Sequence, residues 1–278
     1  MPSDRISLSV PTHVTGFFSV HRAENSRATG SRGCGITLAN RVDITVIDDQ
    51  QGHTTLNETP LDVDAVEVVR EQVATAVSVD ASTDVPLGSG FGISGALALG
   101  TAFGANLLLN ERRTANELIG IAHAADVTAG TGLGDVVAQA KGGIPIRIDP
   151  GGPAYGCVDA IPEHREIEYL SFGPLSTSAI IGGDTDYITQ AGETALAEVR
   201  ADPRIETFFS ASRTFAEETG LLSDKLASVI TAVESAGGVA TMGMLGQTII
   251  ALDDGLSAAG YDATRCSIAS CGVRIGVR

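Results

Sequence analysis

The chain has 278 residues and a mass of 28.5 kDa, enough for one large domain or two modest ones around a substantial core. Its formal charge of −16 disfavours non-specific binding to nucleic acid or to an anionic membrane, and the absence of Trp, with 4% aromatic residues, argues against platforms for stacking bases. A hydrophobic share of 43% and a mean hydropathy of +0.17 exclude a disordered chain.

Only Lys141 and Lys225 are lysines, and every other basic residue is arginine. An acidic surface almost without lysine suggests a halophilic protein built for molar salt, where the Debye length falls to roughly 3 Å. A GC-rich genome also swaps Lys for Arg but does not account for the charge. Cys34, Cys157, Cys266 and Cys271 form no C-x-x-C pair and no zinc spacing, so reduced thiols in a cytoplasmic protein are expected. The segment MPSDRISLSV lacks the basic and apolar regions of a secretory leader. Residues 85–110 carry no charge and are long enough to span a bilayer. They open on a Gly-rich stretch and contain Asn106, and are therefore read as a loop entering a buried helix.

In chain order, residues 5–10 and 42–48 read as strands. Residues 62–79 give the clearest amphipathic helix, with Val63, Val66, Val69, Val73 and Val77 at helical spacing behind Asp62 as N-cap. A loop at 81–92 leads into an apolar helix over 93–109, and another helix covers 114–125. A second Gly-rich turn, 129–134, opens a helix at Asp135, followed by a strand at 144–148 and a break at 151–153. In the second half, strands are expected at 166–172, 248–252 and 265–273, and helices at 187–200, 205–218, 224–236 and 254–259. This order predicts an α+β protein with two lobes, 1–168 and 169–278.

The most informative segment is Pro86-Leu-Gly-Ser-Gly-Phe-Gly-Ile-Ser94-Gly-Ala96. Alternating glycines let the backbone turn and approach a ligand, and the following helix start offers unpaired N–H groups and a positive dipole end. Such a loop suits a di- or triphosphate, with the Ser94 hydroxyl in reach of a phosphate or its metal. It lacks the lysine of a Walker loop and the flanking strand and acid of a dinucleotide fingerprint, and close helix packing is an alternative use for the same glycines.

This segment resembles the phosphate-binding motif of the GHMP kinases. Val10-Pro-Thr-His-Val-Thr-Gly-Phe-Phe18 falls where those enzymes have their first motif, and its form resembles the pantoate kinase branch. Thr131-Gly-Leu-Gly-Asp135-Val-Val-Ala-Gln139, preceded by Ala122-His123, is a third match, and Gly30-Ser-Arg-Gly-Cys-Gly35 a fourth. In the second half, Ala240-Thr-Met-Gly-Met-Leu-Gly-Gln247 stands for the family's Gly-rich third motif with only two glycines.

The resemblance implies the two-lobed GHMP kinase fold and transfer of phosphate from ATP, with Mg²⁺, to the 4-hydroxyl of (R)-pantoate on the way to coenzyme A. Pro86, Gly88, Ser89, Gly90, Gly92, Ser94 and Gly95 would cradle the triphosphate, and Ser94 with Asp126 would hold the metal. Asp135 stands at the family's catalytic aspartate, although an acid in a first helical turn also serves simply to stabilise its helix. His13 stands where several members carry a lysine close to the catalytic aspartate; the resemblance implies a catalytic and substrate role beside Asp135, donating to the acceptor hydroxyl or to the substrate carboxylate, and the alternative is a core histidine. His123 is read as structural. Thr15, Arg22, Arg32 and Thr177 are further substrate candidates, the arginines because pantoate carries a carboxylate. No motif fixes oligomeric state, and a homodimer is compatible with the reading. Three alternatives stand beside it: a GHMP kinase for homoserine, shikimate or mevalonate; a non-catalytic nucleotide-binding regulator; and an NAD(P)-binding enzyme using the loop at 88–92.

Overall fold

The computed structural model describes residues 4–73, 76–174 and 185–276. Two long antiparallel strands, β1 (Arg5–His21) and β2 (Gly30–Ile47), form the spine of the first layer. Both are far longer than the 5–10 and 42–48 segments that alternation alone suggests. Their inner stretches are buried on both faces, so period-two patterning disappears there. Bulges between Pro11 and Thr12 and between Thr15 and Phe17 bend β1.

The sheet runs β12-β1-β2-β5-β3-β4, with β6 paired to β2 and β7 to β6. Here β3 is Thr54–Leu56, β4 Thr59–Pro60, β5 Ser78–Ser82, β6 Ile144–Asp149, β7 Cys157–Ile161 and β12 Arg274–Ile275. Helix α1 (Asp64–Val73) stops short of the predicted residue 79, because Val79 sits in β5, paired with Val46. Helix α2 (Ile93–Leu108) is covered by α1, by α3 (Ala115–Ala129) and by the sheet. Gly100 and Gly104 let α2 approach closely: a Cβ on them would lie 2.4 and 2.3 Å from Ile44 and Val46. Among the described residues no helix is long and apolar enough to cross a membrane. Helix α4 (Asp135–Lys141) completes this layer.

The second sheet is β11-β8-β10-β9, formed by β8 (Glu166–Pro174), β9 (Ala240–Gly243), β10 (Gly246–Leu252) and β11 (Thr264–Ser267). With it go helices α5 (Asp186–Ala201), α6 (Ile205–Glu218), α7 (Asp224–Ser235) and the short α8 (Gly255–Ala258). The strand expected over 265–273 ends at Ser267, and β12 then returns to the first sheet, pairing Ile275 with Leu8. The last residues of the proposed 169–278 lobe thus belong structurally to the first layer.

The layers meet through β1. Phe17 and Phe18 pack on Phe208 and Phe215 of α6, with ring centroids 5.8 to 6.4 Å apart. Each buried ring contributes about 2 kcal/mol. The loop at 86–92 and the turn at 130–134 therefore open onto the seam between the lobes.

Candidate active site

Helix α2 begins without a side-chain cap: Gly92 precedes it at φ 65°, and the first helical hydrogen bond runs from Ala96 N–H to Gly92 O. Three N–H groups at the start of α2 thus have no partner within the helix. Helix α3, by contrast, opens with a complete capping box between Thr114 and Glu117. The uncapped end of α2 faces a cavity of about 350 Å³, lined by Gly88, Gly90, Gly92, Ser94 and Gly95 and, across it, by Thr131, Asp135, Met244 and Leu245. Gly88, Gly90 and Gly92 all have positive φ, a backbone path that any other side chain would strain.

Two carboxylates stand here, Asp135 in the cavity lining and Asp126 behind it. Asp126, inside α3, is buried; Thr131 Oγ1 donates to its Oδ1 at 2.6 Å, and Ser94 Oγ donates to Thr131 Oγ1 at 3.1 Å. Asp135 occupies the first turn of α4 and is 15% exposed. Gly132 separates them: a Cβ there would lie 2.1 Å from Asp126 Oδ2 and 3.2 Å from Asp135 Oδ2. Burial, then the nearby charge of Asp135, pushes the Asp126 carboxyl up to about 7. Burial pushes Asp135 upward too, but the hydrogen bond from His13 and the positive charge of Arg147 outweigh it and hold the carboxyl below its usual range.

His13 is fully buried in β1, with Nδ1 2.6 Å from Asp135 Oδ1. Burial lowers its pKa, so the neutral ring donates from Nδ1. Its Nε2 has no hydrogen-bond partner and faces Gly35, where a Cβ would lie 2.2 Å away. His13 lines neither cavity of the site, so the substrate contact expected of it is replaced by a contact to Asp135.

The side chain that sequence reasoning missed is Arg147 in β6. It is 2% exposed, and its Nε and one Nη have no hydrogen-bond partner. Pairing of Arg147 with Gly33 puts it behind Asp135. There it lines a second, smaller cavity of about 20 Å³ with Thr15, Phe18, Ser31, Leu133, Gly134, Asp135 and Leu245. A signal was present: in Ile144-Pro-Ile-Arg-Ile148 the isoleucines alternate on one face and leave Arg147 on the other.

Other candidates fall elsewhere. Arg32 donates to Glu193 and to Ile148 O, which places it in a link between the lobes rather than at the cavities. Arg22 is exposed beyond the end of β1 and lines neither cavity. Pro86 and Ser89 are not lining residues: Ser89 is buried, and its carbonyl accepts from Thr248 Oγ1 of β10. Thr15 lines both cavities, and Thr177 lies outside the described residues. His123 is buried against Thr29 O, to which its Nε2 lies 2.8 Å away.

An uncapped helix behind a glycine loop, facing a pair of carboxylates across a seam between lobes, is the arrangement of a small-molecule kinase of the GHMP class. Residues 61–143 match the model of the GHMP kinases N terminal domain. The pantoate kinase of Methanocaldococcus jannaschii is 35% identical over 249 residues, covering 87% of this chain and 90% of that one. The pantoate kinase of Thermococcus kodakarensis is 32% identical over 259 residues, covering 87% and 86%. A solved phosphotransferase related to the CoA biosynthesis pathway superposes with a TM-score of 0.86 at 28% identity, covering 98% of each chain. The chain belongs to the pantoate kinase family of the GHMP kinases.

Proposed function

We propose that this protein transfers the γ-phosphoryl group of ATP to the 4-hydroxyl of (R)-pantoate, giving 4-phosphopantoate and ADP. Beside its family membership, the observation that supports this reading most is the buried guanidinium of Arg147, held next to Asp135 with hydrogen-bonding capacity unused. A buried guanidinium with donors unused beside Asp135 has room for a further anion, and its planar geometry matches a carboxylate. The acceptor is then a small alcohol carrying a carboxylate.

The site fits the triphosphate and metal such a reaction needs. Glycines at 88, 90 and 92 clear the cavity wall, and the open end of α2 offers N–H donors to phosphate oxygens. Two neighbouring carboxylates, one of them buried and forced toward neutrality, call for a cation, and the Asp126, Ser94 and Thr131 oxygens are the hard donors that suit Mg²⁺. Bound there, the metal would neutralise charge on the transferring phosphoryl group.

The protein's own part is mainly positioning and charge. His13 holds Asp135 ionised and oriented; Arg147 anchors the acceptor carboxylate. The acceptor oxygen forms a bond to the γ-phosphorus as the bond to the β–γ bridging oxygen breaks, and Asp135 accepts the hydroxyl proton. A coupled ADP-release assay in high potassium chloride, with pantoate beside homoserine, shikimate and mevalonate, tests the reading. Turnover with pantoate alone is expected; turnover with another alcohol alone would discard the substrate.

A further inference from the structure

Thr15, Asp135 and Leu245 each line both the large glycine-walled cavity and the small one at Arg147. Asp135 has a role in the chemistry and Thr15 a hydroxyl to offer. Leu245 has neither, yet it is held in a costly conformation. It sits in the turn between β9 and β10 with φ 63°, a left-handed backbone that costs a residue with a Cβ about 1 kcal/mol and that glycine adopts freely.

The turn is clamped from two sides. Met244 N–H donates to Thr15 O of β1 at 2.7 Å. On the other side it abuts the glycine loop: a Cβ on Gly246 would lie 2.0 Å from Ser89 O, and one on Gly90 2.7 Å from Met244 O. The backbone at 245 is thus fixed against the site, and a leucine stands where a glycine would relieve the strain. Strain retained at a site is a pointer to function when the side chain does something there. At about 20 Å³, the cavity at Arg147 holds little more than one water, so a lining group must yield before an acceptor enters. Phe18, Ser31 and Arg147 are buried, whereas Leu245 is half-buried.

We infer that Leu245 is a specificity-determining wall: its side chain separates the two cavities, yields to an acceptor of the right size, and keeps water from the transfer path until then. The inference rests on the kinase reading above. Without the wall, water takes the acceptor's place: its oxygen bonds to the γ-phosphorus, the bond to the bridging oxygen breaks, and ADP, inorganic phosphate and a proton are released.

The test compares Leu245→Gly, Leu245→Ala and Leu245→Met with the wild type. Two quantities are read: the ratio of acceptor-independent ADP release to pantoate-dependent turnover, and the thermal shift induced by pantoate without nucleotide. The inference predicts a ratio at least tenfold higher in the Gly and Ala variants, a raised pantoate KM with a smaller change in kcat, a reduced pantoate-induced shift, and a near-normal Met variant. Ala keeps the strained Cβ while Gly releases it, so leakage shared by both belongs to the lost wall and not to the backbone. A wild-type ratio in folded, pantoate-active Gly and Ala variants would overturn the inference alone. No pantoate turnover in the wild type would overturn the substrate reading and this inference with it.

Discussion

Asp126 and Asp135 come together only because residue 132 has no side chain: a Cβ on Gly132 would press on an oxygen of each carboxylate. The pair is therefore a product of three residues, and its electrostatic cost is a property of the folded chain. Gly132→Ala is expected to leave a folded protein that has lost metal-dependent turnover, because the Asp126 carboxylate must rotate away. A variant with near-normal kcat at ordinary Mg²⁺ concentrations, measured by ADP release, would show that the carboxylates tolerate separation.

Asp126 sets a trade between stability and activity. Its carboxyl titrates at about 7 in the folded metal-free protein, well above an ordinary aspartate. Between roughly pH 4 and 7 the native state thus binds more protons than the unfolded chain, and this residue's contribution to stability falls as pH rises through that window. Asp126→Asn removes the effect. The Tm difference between Asp126→Asn and wild type should be smallest near pH 4, grow as pH rises to about 7 and level off above it, with about 1 kcal/mol corresponding to roughly 2 °C. The same variant should lose Mg²⁺-dependent turnover. A Tm difference independent of pH would remove the strained carboxylate from the account.

The same ionisation governs metal binding. A proton on Asp126 competes with the cation, so apparent Mg²⁺ affinity should fall by about tenfold per pH unit below 7 and flatten above it. Metal titrations followed by thermal shift at fixed non-hydrolysable nucleotide measure this slope, and a flat profile between pH 5.5 and 8 (~2.5 units) would contradict it.

Asp135→Asn should reduce kcat by about 10²–10⁴-fold while nucleotide still stabilises the protein, since the glycine loop and the start of α2 are untouched. His13→Gln should reduce kcat less and shift the acidic limb of its pH profile upward, because Asp135 would lose the hydrogen bond that opposes its burial. An unshifted limb with normal kcat would reduce His13 to core packing.

Arg147→Met should weaken pantoate binding by about 10–100-fold, the worth of a charge-assisted hydrogen bond or two, and Arg147→Lys should not restore it, because a point charge cannot reproduce the planar fork. Arg147→Met should also move Asp135 upward, because the positive charge that opposes its burial is removed. Unchanged pantoate KM in either variant, measured at saturating ATP, would move the carboxylate site elsewhere.

The sequence carried the local parts of this site well. Glycines at 88, 90 and 92 and the turn at 131–134 mark their helix starts by themselves, because a positive φ and a first-turn carboxylate are decided within a few residues. Contacts made by strand pairing were less legible. Arg147 reaches Asp135 only because β6 docks on β2 at Gly33, and Arg32, two strand positions from Cys34, is drawn off to Glu193 of the other lobe. The helical stripe in the sequence runs on to Val77, but residues 78–82 pair with β2, Val79 opposite Val46, and the chain is extended there instead.

In the proposed reaction Arg147 and Asp135 present one particular hydroxyl of pantoate to the phosphate cavity. The most direct measurement is proton-coupled ³¹P NMR of the product formed from ATP and (R)-pantoate. A phosphomonoester signal split into a triplet by the C4 methylene protons is expected, and it should be absent with Asp135→Asn over the same time. A doublet, from phosphate on the C2 hydroxyl, or no organic phosphate from an active, folded enzyme, would contradict the proposed reaction.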